Sequence, residues 1–217
     1  NQDDCKFLSK SAAGVGVIFY VLSSLRAALR AHDWFSKSAI PEPNMADYLD
    51  LVALGTVADL VPLDKNNRIL VEQGLRRIRA GRCRPGIRAI LAQSQKKLSQ
   101  VKASDMGFAV GPRLNAAGRL DDMSLGIECL LTEDHERAIQ LANKLDILNQ
   151  ERKSIESDMK LDAEIQLKSM NLGEENHTLE SKGEEGEVAW GLCLFEQHWH
   201  QGVIGILASR IKEKLNR

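Results

Sequence analysis

The chain of 217 residues lacks most of the signatures that usually announce a function. Its four cysteines (Cys5, Cys83, Cys129, Cys193) are scattered, with no CxxC pair. That argues against a structural zinc site and a disulfide framework, and for reduced thiols in a cytoplasmic protein. Aromatic residues make up only 5%. There is no P-loop, no HExxH and no nucleophile elbow, and GVGVIF is not a dinucleotide fingerprint. Phosphate cradling by a Walker loop, zincin proteolysis and serine hydrolysis therefore have no local support. The longest apolar stretches, such as 15–22, are far short of the roughly 20 residues that span a bilayer. No basic-then-apolar leader is present, although the chain starts at Asn1 and not at a methionine. The expectation is no membrane contact.

One absence is itself informative. Between Gln73 and Ser104 there is no acid, but there are nine cations: Arg76, Arg77, Arg79, Arg82, Arg84, Arg88, Lys96, Lys97 and Lys102. Ordinary surfaces mix signs, so the stretch suggests a polyanion partner, against the alternative of a solvated face. The net charge of −1 conceals this, because 173–187 holds six glutamates and one lysine. That segment is acidic, glycine-rich and without periodicity, and reads as a flexible loop or linker.

The remaining pattern is mostly helical. Ala12–Arg30 is apolar nearly all round at its start, which predicts a buried helix. The run Asp47–Leu63 begins as a short helix. Its later part, LVALGTVADLV, is an apolar run broken by Gly55, Thr56 and Asp59 and closed by Pro62. Amphipathic spacing predicts helices over 66–80, 85–92 and 123–131, and a short helix from Ser104 to Val110. Gly111–Leu120 (GPRLNAAGRL) reads as a polar loop. Thr132 is a plausible cap for a helix reaching about Met170, with a narrow seam of Leu141, Leu145, Leu148, Ile155 and Met159 interrupted by Arg152. Val188–Phe195 has a buried-strand pattern and is followed by a helix from Gln201, which is the opening of an α/β unit.

Three constellations could carry chemistry. Asp59, in an otherwise oily run, could project one carboxylate from a strand end into a cleft, where it would be a hard oxygen ligand for Mg²⁺ or Mn²⁺. A helix cap or a buried salt bridge is the plainer alternative. Arg113, Asn115 and Arg119 could bind phosphate oxygens through guanidinium forks and an amide, or could brace the segment against neighbouring helices. Gly202 and Gly205, after Trp199 and His200, could let a helix N-terminus approach an anion, or could serve tight packing.

Five blocks bring these residues together: SAAGVGVIFYVL, DYLDLVALGTVADLVPL, VGPRLNAAGRL, LDILNQERKSIE and WHQGVIGILASRIKEK. In this order the chain resembles the RecJ-type exonucleases of the DHH phosphoesterase superfamily. The resemblance implies an α/β class, with the C-terminal part of a DHH domain over 1–131, mostly helical as covered. A long connecting helix over 132–172, an acidic linker over 173–187 and the start of an α/β DHHA1 domain over 188–217 would follow. It implies metal-dependent 5′→3′ digestion of single-stranded DNA in recombination and repair, with Mn²⁺ or Mg²⁺. Asp59 would be a catalytic metal ligand, Asp50 a supporting acid, and Arg113, Asn115 and Arg119 nucleic-acid contacts. The expected partners are single-stranded DNA and a single-strand-binding protein or helicase, and the protein is expected to be a cytoplasmic monomer. The DxD and DHH motifs that supply most metal ligands in that family are not among these residues, so the chain by itself is expected to be inactive. Two rival readings are a non-catalytic DHH relative serving as a replication scaffold and a small-substrate DHH phosphodiesterase.

Overall fold

A computed structural model describes residues 4–170 and 191–215. Ten helices appear among them, and no strand. Helices α1 (Gly14–Ala31), α2 (Trp34–Ser38), α3 (Leu49–Ala58), α4 (Lys65–Arg79) and α5 (Pro85–Gln93) come first. After α6 (Ala103–Asp105), a π-helical turn over Met106–Val110 leads into α7 (Gly111–Leu120). Helices α8 (Ser124–Leu131), α9 (His135–Ser169) and α10 (Ile204–Lys214) complete the chain.

The helix α9 is the spine. It has 35 residues, about 52 Å at 1.5 Å per residue. Its cap is Asp134, not Thr132: the Asp134 carboxylate accepts from the backbone N–H groups of Glu136 and Arg137. Thr132 instead supports that cap, its hydroxyl accepting from the Asp134 N–H at 3.2 Å. A single buried stripe runs down α9, and it meets two separate cores. Ala138, Leu141, Ala142 and Leu145 join Leu75, Ile78, Ile87, Ile90, Leu114 and Cys129 in the larger core. Met159, Ala163 and Leu167 join Val203, Leu207 and Ile211 in a smaller one. Between them the stripe turns polar at Asn149, Arg152 and Glu156, which is the interruption the seam shows in sequence.

Within the first lobe, α3 lies against α4 at backbone contact. A Cβ on Gly74 would sit 2.1 Å from the Leu49 carbonyl oxygen, so only glycine permits that approach. The capping carboxylate of Asp64 starts α4, accepting from the Asn67 N–H at 2.8 Å.

Three expectations change. The segment Gly111–Leu120 is a helix, not a loop. Its Gly-Pro opening is a helix start, because Pro112 tolerates the first turn and lacks the N–H that an α ladder would pair with the Phe108 carbonyl. The ladder shifts register instead, and the Gly111 N–H reaches the Met106 carbonyl. Helix α1 is not buried: Ile18, Val21 and Leu25 are each at least half exposed. By length and composition alone α1 would pass for a membrane span. It is tied to this lobe by packing on α3 and by bonds from Arg26 to the Pro43 carbonyl and Arg30 to Glu42. Finally, Gly191–Phe195 forms no strand and has no ladder partners among the described residues, and the acidic 173–187 segment and 188–190 lie outside them.

Candidate metal and nucleic-acid site

The two acids of the DYLDLVALGTVADLVPL block stand at opposite ends of α3 and have opposite environments. Asp50 is 1% exposed. It accepts from the Arg84 guanidinium at 2.8 Å and from the Arg84 backbone N–H at 2.8 Å. Its carboxylate is spent on holding α3 to the start of α5. Asp59 follows the last residue of α3, at a helix end and not a strand end. It is exposed, and its side chain has no hydrogen-bond partner among the described residues. The next residue, Leu60, has φ +55°, a left-handed conformation that costs a branched side chain on the order of 1 kcal/mol. Such strain persists only where the surroundings hold it.

Two elements do that holding. Asn67, wholly buried in α4, donates its amide hydrogens to the carbonyls of Ser11 and Pro62, both at 2.8 Å. The π-helical turn packs on the end of α3. A Cβ on Gly107 would lie 3.3 Å from Val57 Cγ1, and one on Gly111 would lie 3.5 Å from Ala58 Cβ. Asp59 therefore stands beside the start of α7. Asn67 was not singled out from sequence; a buried asparagine in an amphipathic helix carries no motif.

The three residues expected on α7 separate in role. Arg113 is 13% exposed and fully engaged. Its Nε donates to Asp146 Oδ1 at 2.8 Å, and a terminal nitrogen donates to the Ala109 carbonyl at 2.8 Å. It braces α7 on α9. Asn115 is exposed, with no side-chain partner among the described residues. Arg119 is exposed and donates one N–H to the Gly202 carbonyl at 2.9 Å. Its other nitrogens make no hydrogen bond among the described residues. Asp146 and Arg152 were not singled out as site residues, because an acid or a base on a long charged helix looks like any solvated position.

The acid-free basic stretch is less free than its sequence suggests. Four acids from before and after it pair with five of its nine cations. Arg76 and Arg79 pair with Glu72, Arg77 with Asp47, Arg84 with Asp50 and Lys96 with Asp105. Arg88 donates to the Gly81 carbonyl. Arg82, Arg88, Lys97 and Lys102 have no carboxylate partner among the described residues.

At the third candidate, Gly202 serves packing: a Cβ there would fall 2.2 Å from the Arg119 carbonyl oxygen. Nothing lies within 4 Å of a Cβ on Gly205. Trp199 packs into the smaller core and donates its indole N–H to Asp162 at 3.2 Å. His200 accepts from the Gly202 N–H at 3.1 Å through Nδ1. Hydrogen bonds from His198 and then Trp199 hold the Asp162 carboxyl below the usual aspartate range.

A divalent ion such as Mg²⁺ takes about six oxygen ligands. Among the described residues no three His, Cys, Asp or Glu side chains converge on one point. These residues do not form a metal centre on their own. What they offer is one unpaired carboxylate, fixed at the end of a buried helix.

No family model matches the chain. It is similar to curated proteins named single-stranded-DNA-specific exonuclease RecJ. That of Dickeya dadantii is 56% identical over 217 residues, covering all of this chain and 36% of the relative. That of Escherichia coli is 52% identical over the same span and share. A crystal structure of RecJ in complex with Mg²⁺ from Thermus thermophilus superposes with a TM-score of 0.71 at 30% identity, covering 98% of this chain and 29% of that one. A crystal structure of exonuclease RecJ bound to manganese gives a TM-score of 0.65 at 33% identity, over 84% of this chain and 41% of that one. Matched from end to end, these residues are similar to one part of the RecJ exonucleases and span about a third of the length of the curated relatives they match.

Proposed function

We propose that the chain is part of a single-stranded-DNA-specific exonuclease that hydrolyses phosphodiester bonds from the 5′ end with Mn²⁺ or Mg²⁺, in recombination and repair. The observation that carries this is Asp59: an exposed, unpartnered carboxylate held at a strained helix end beside α7. The relatives' printed activity and the ions in the neighbouring structures support the same reading. Residues 1–131 then form the end of a DHH domain, α9 the connecting helix, and the last residues the opening of an α/β DHHA1 domain.

In this reading Asp59 supplies one metal ligand, the other donors coming from outside the described residues. Bound divalent ions would activate water and neutralise phosphoryl charge. The residues of this chain do the rest. Asn115 and the spare N–H groups of Arg119 face solvent and are placed to bind backbone phosphates. Arg113, locked to Asp146, fixes the helix that carries them. A single-strand-binding protein or helicase partner and a cytoplasmic location accompany this proposal.

The test is a full-length RecJ carrying these residues, assayed with Mn²⁺ on single strands labelled at the 5′ or the 3′ end. The reading expects release of mononucleotides from the 5′ end and no digestion of blunt duplex. Strand binding without digestion would favour the scaffold reading. Cleavage confined to di- or trinucleotides would favour the small-substrate phosphodiesterase.

A further inference from the structure

Two polar contacts tie α7 and the middle of α9 to the last described residues. At one point α7 ends against the turn before α10. Gly202 lies in backbone contact with Arg119, where any side chain would collide: the Cβ position is 2.2 Å from the Arg119 carbonyl oxygen and 3.2 Å from its Cα. The same pair is closed by the Arg119 guanidinium, 2.9 Å from the Gly202 carbonyl oxygen. At a second point Glu156 on α9 takes two arginines. Arg152 reaches it from one turn earlier, and Arg210 reaches it from α10 at 3.3 Å. Glu156 is 18% exposed and Arg152 12% exposed. Arg152 also approaches the buried Asn149 at 3.4 Å. Leu120, the last residue of α7, packs on the smaller core beside these groups.

Hydrophobic packing is tolerant of small rotations, but the two polar contacts are not. A backbone-to-backbone contact with no intervening side chain sets a distance, and a carboxylate shared by two elements sets an orientation.

We propose that Arg119–Gly202 and Arg152–Glu156–Arg210 form a rigid joint that fixes the angle between the helical lobe and the lobe begun by α10, making Gly202 and Glu156 positioning residues for single-strand binding. This deepens the functional reading and rests on it. The joint lies at the end of α7 whose exposed Asn115 and Arg119 would meet the strand, so a change in angle moves the lobe begun by α10 relative to them. Neither Gly202 nor Glu156 needs to touch nucleic acid.

The experiment uses a full-length RecJ carrying these residues. Three variants are compared with wild type: Gly202→Ala, Glu156→Gln and Arg210→Gln, together with the Glu156→Gln/Arg210→Gln pair. Hydrogen exchange follows the backbone of 116–120 and 199–207, and steady-state kinetics use a 5′-phosphorylated single strand with Mn²⁺. Gly202→Ala is expected to speed exchange in both segments and to raise KM about tenfold with kcat within about twofold. Glu156→Gln and Arg210→Gln should each raise KM about threefold, and the pair no more than either alone. A purely structural loss would lower the active fraction, reducing kcat and leaving KM unchanged. Wild-type exchange and KM in Gly202→Ala, or additive effects of Glu156→Gln and Arg210→Gln, would overturn the joint. If wild type neither binds nor digests single strands, the functional reading falls, while the exchange comparison still decides whether the joint exists.

Discussion

The two ends of α3 show how one short apolar segment divides structure from chemistry. At its start, Asp50 is buried and answered by Arg84 from another element. At its end, nine residues on, Asp59 is exposed and unanswered. A buried carboxylate must be paired, because its desolvation is otherwise prohibitive. An exposed one held by a strained turn has no such need, so its fixed position calls for another explanation. The same division recurs on α7, where Arg113 is consumed by Asp146 and Arg119 keeps spare donors. Pairing, and not residue type, separates the brace from the candidate ligand.

That comparison can be broken by mutation, starting with the largest expected effect. Asp50→Ala leaves the Arg84 guanidinium, 19% exposed, without its carboxylate, with the Asp47 carbonyl and the Tyr48 ring as remaining partners. It should destabilise by about 3–5 kcal/mol, read by urea unfolding. A change below about 1 kcal/mol would show that the pair is not structural. Asp146→Ala should cost less, about 1–3 kcal/mol, since it strips Arg113 of two bonds but leaves the one to the Ala109 carbonyl.

Asp64→Ala removes the α4 cap and should cost about 1 kcal/mol. Its pH dependence sharpens the point. The Asn67 N–H and then the Ser9 hydroxyl hold the Asp64 carboxyl below its ordinary value of 3.8. A depressed carboxyl contributes fully above the unfolded value and loses that contribution as pH falls through the folded one. Wild type and Asp64→Ala should therefore differ in stability at pH 6 and converge as the pH falls through the lowered folded value. A difference that does not shrink on acidification would contradict the assignment. Smallest is a chemical contrast. Burial, then the nearby Glu128, pushes the Cys129 thiol up to about 11. At pH 8 Cys5, which is exposed, should react with a thiol reagent while Cys129 stays inert. Equal rates would show that the region around Cys129 opens.

Periodicity located most helices to within a residue or two, because amphipathic stripes at 66–80 and 85–92 record which face is covered. It missed α7, since GPRLNAAGRL carries the letters of a loop. Its small residues Ala116 and Ala117 are instead fully buried, where α7 lies on α9. It also misjudged α1, because an apolar surface shows that burial is needed, not which residues provide it. Asp59 was legible as a misfit in an oily run. The division of labour between Arg113 and Arg119 was not, for it depends on Asp146 and Gly202, which are 33 and 83 positions away in the chain. The partners of the basic stretch were hidden for the same reason: Asp47, Glu72 and Asp105 lie outside it in the chain.

The most direct measurement is Mn²⁺ binding by a full-length RecJ carrying these residues, with Asp59→Asn compared against wild type by calorimetric titration. The account predicts that the affinity of one ion falls by on the order of 100-fold or more, with the unfolding temperature of the metal-free protein unchanged. Wild-type affinity in Asp59→Asn would contradict the claim that this helix end presents its carboxylate to the ion.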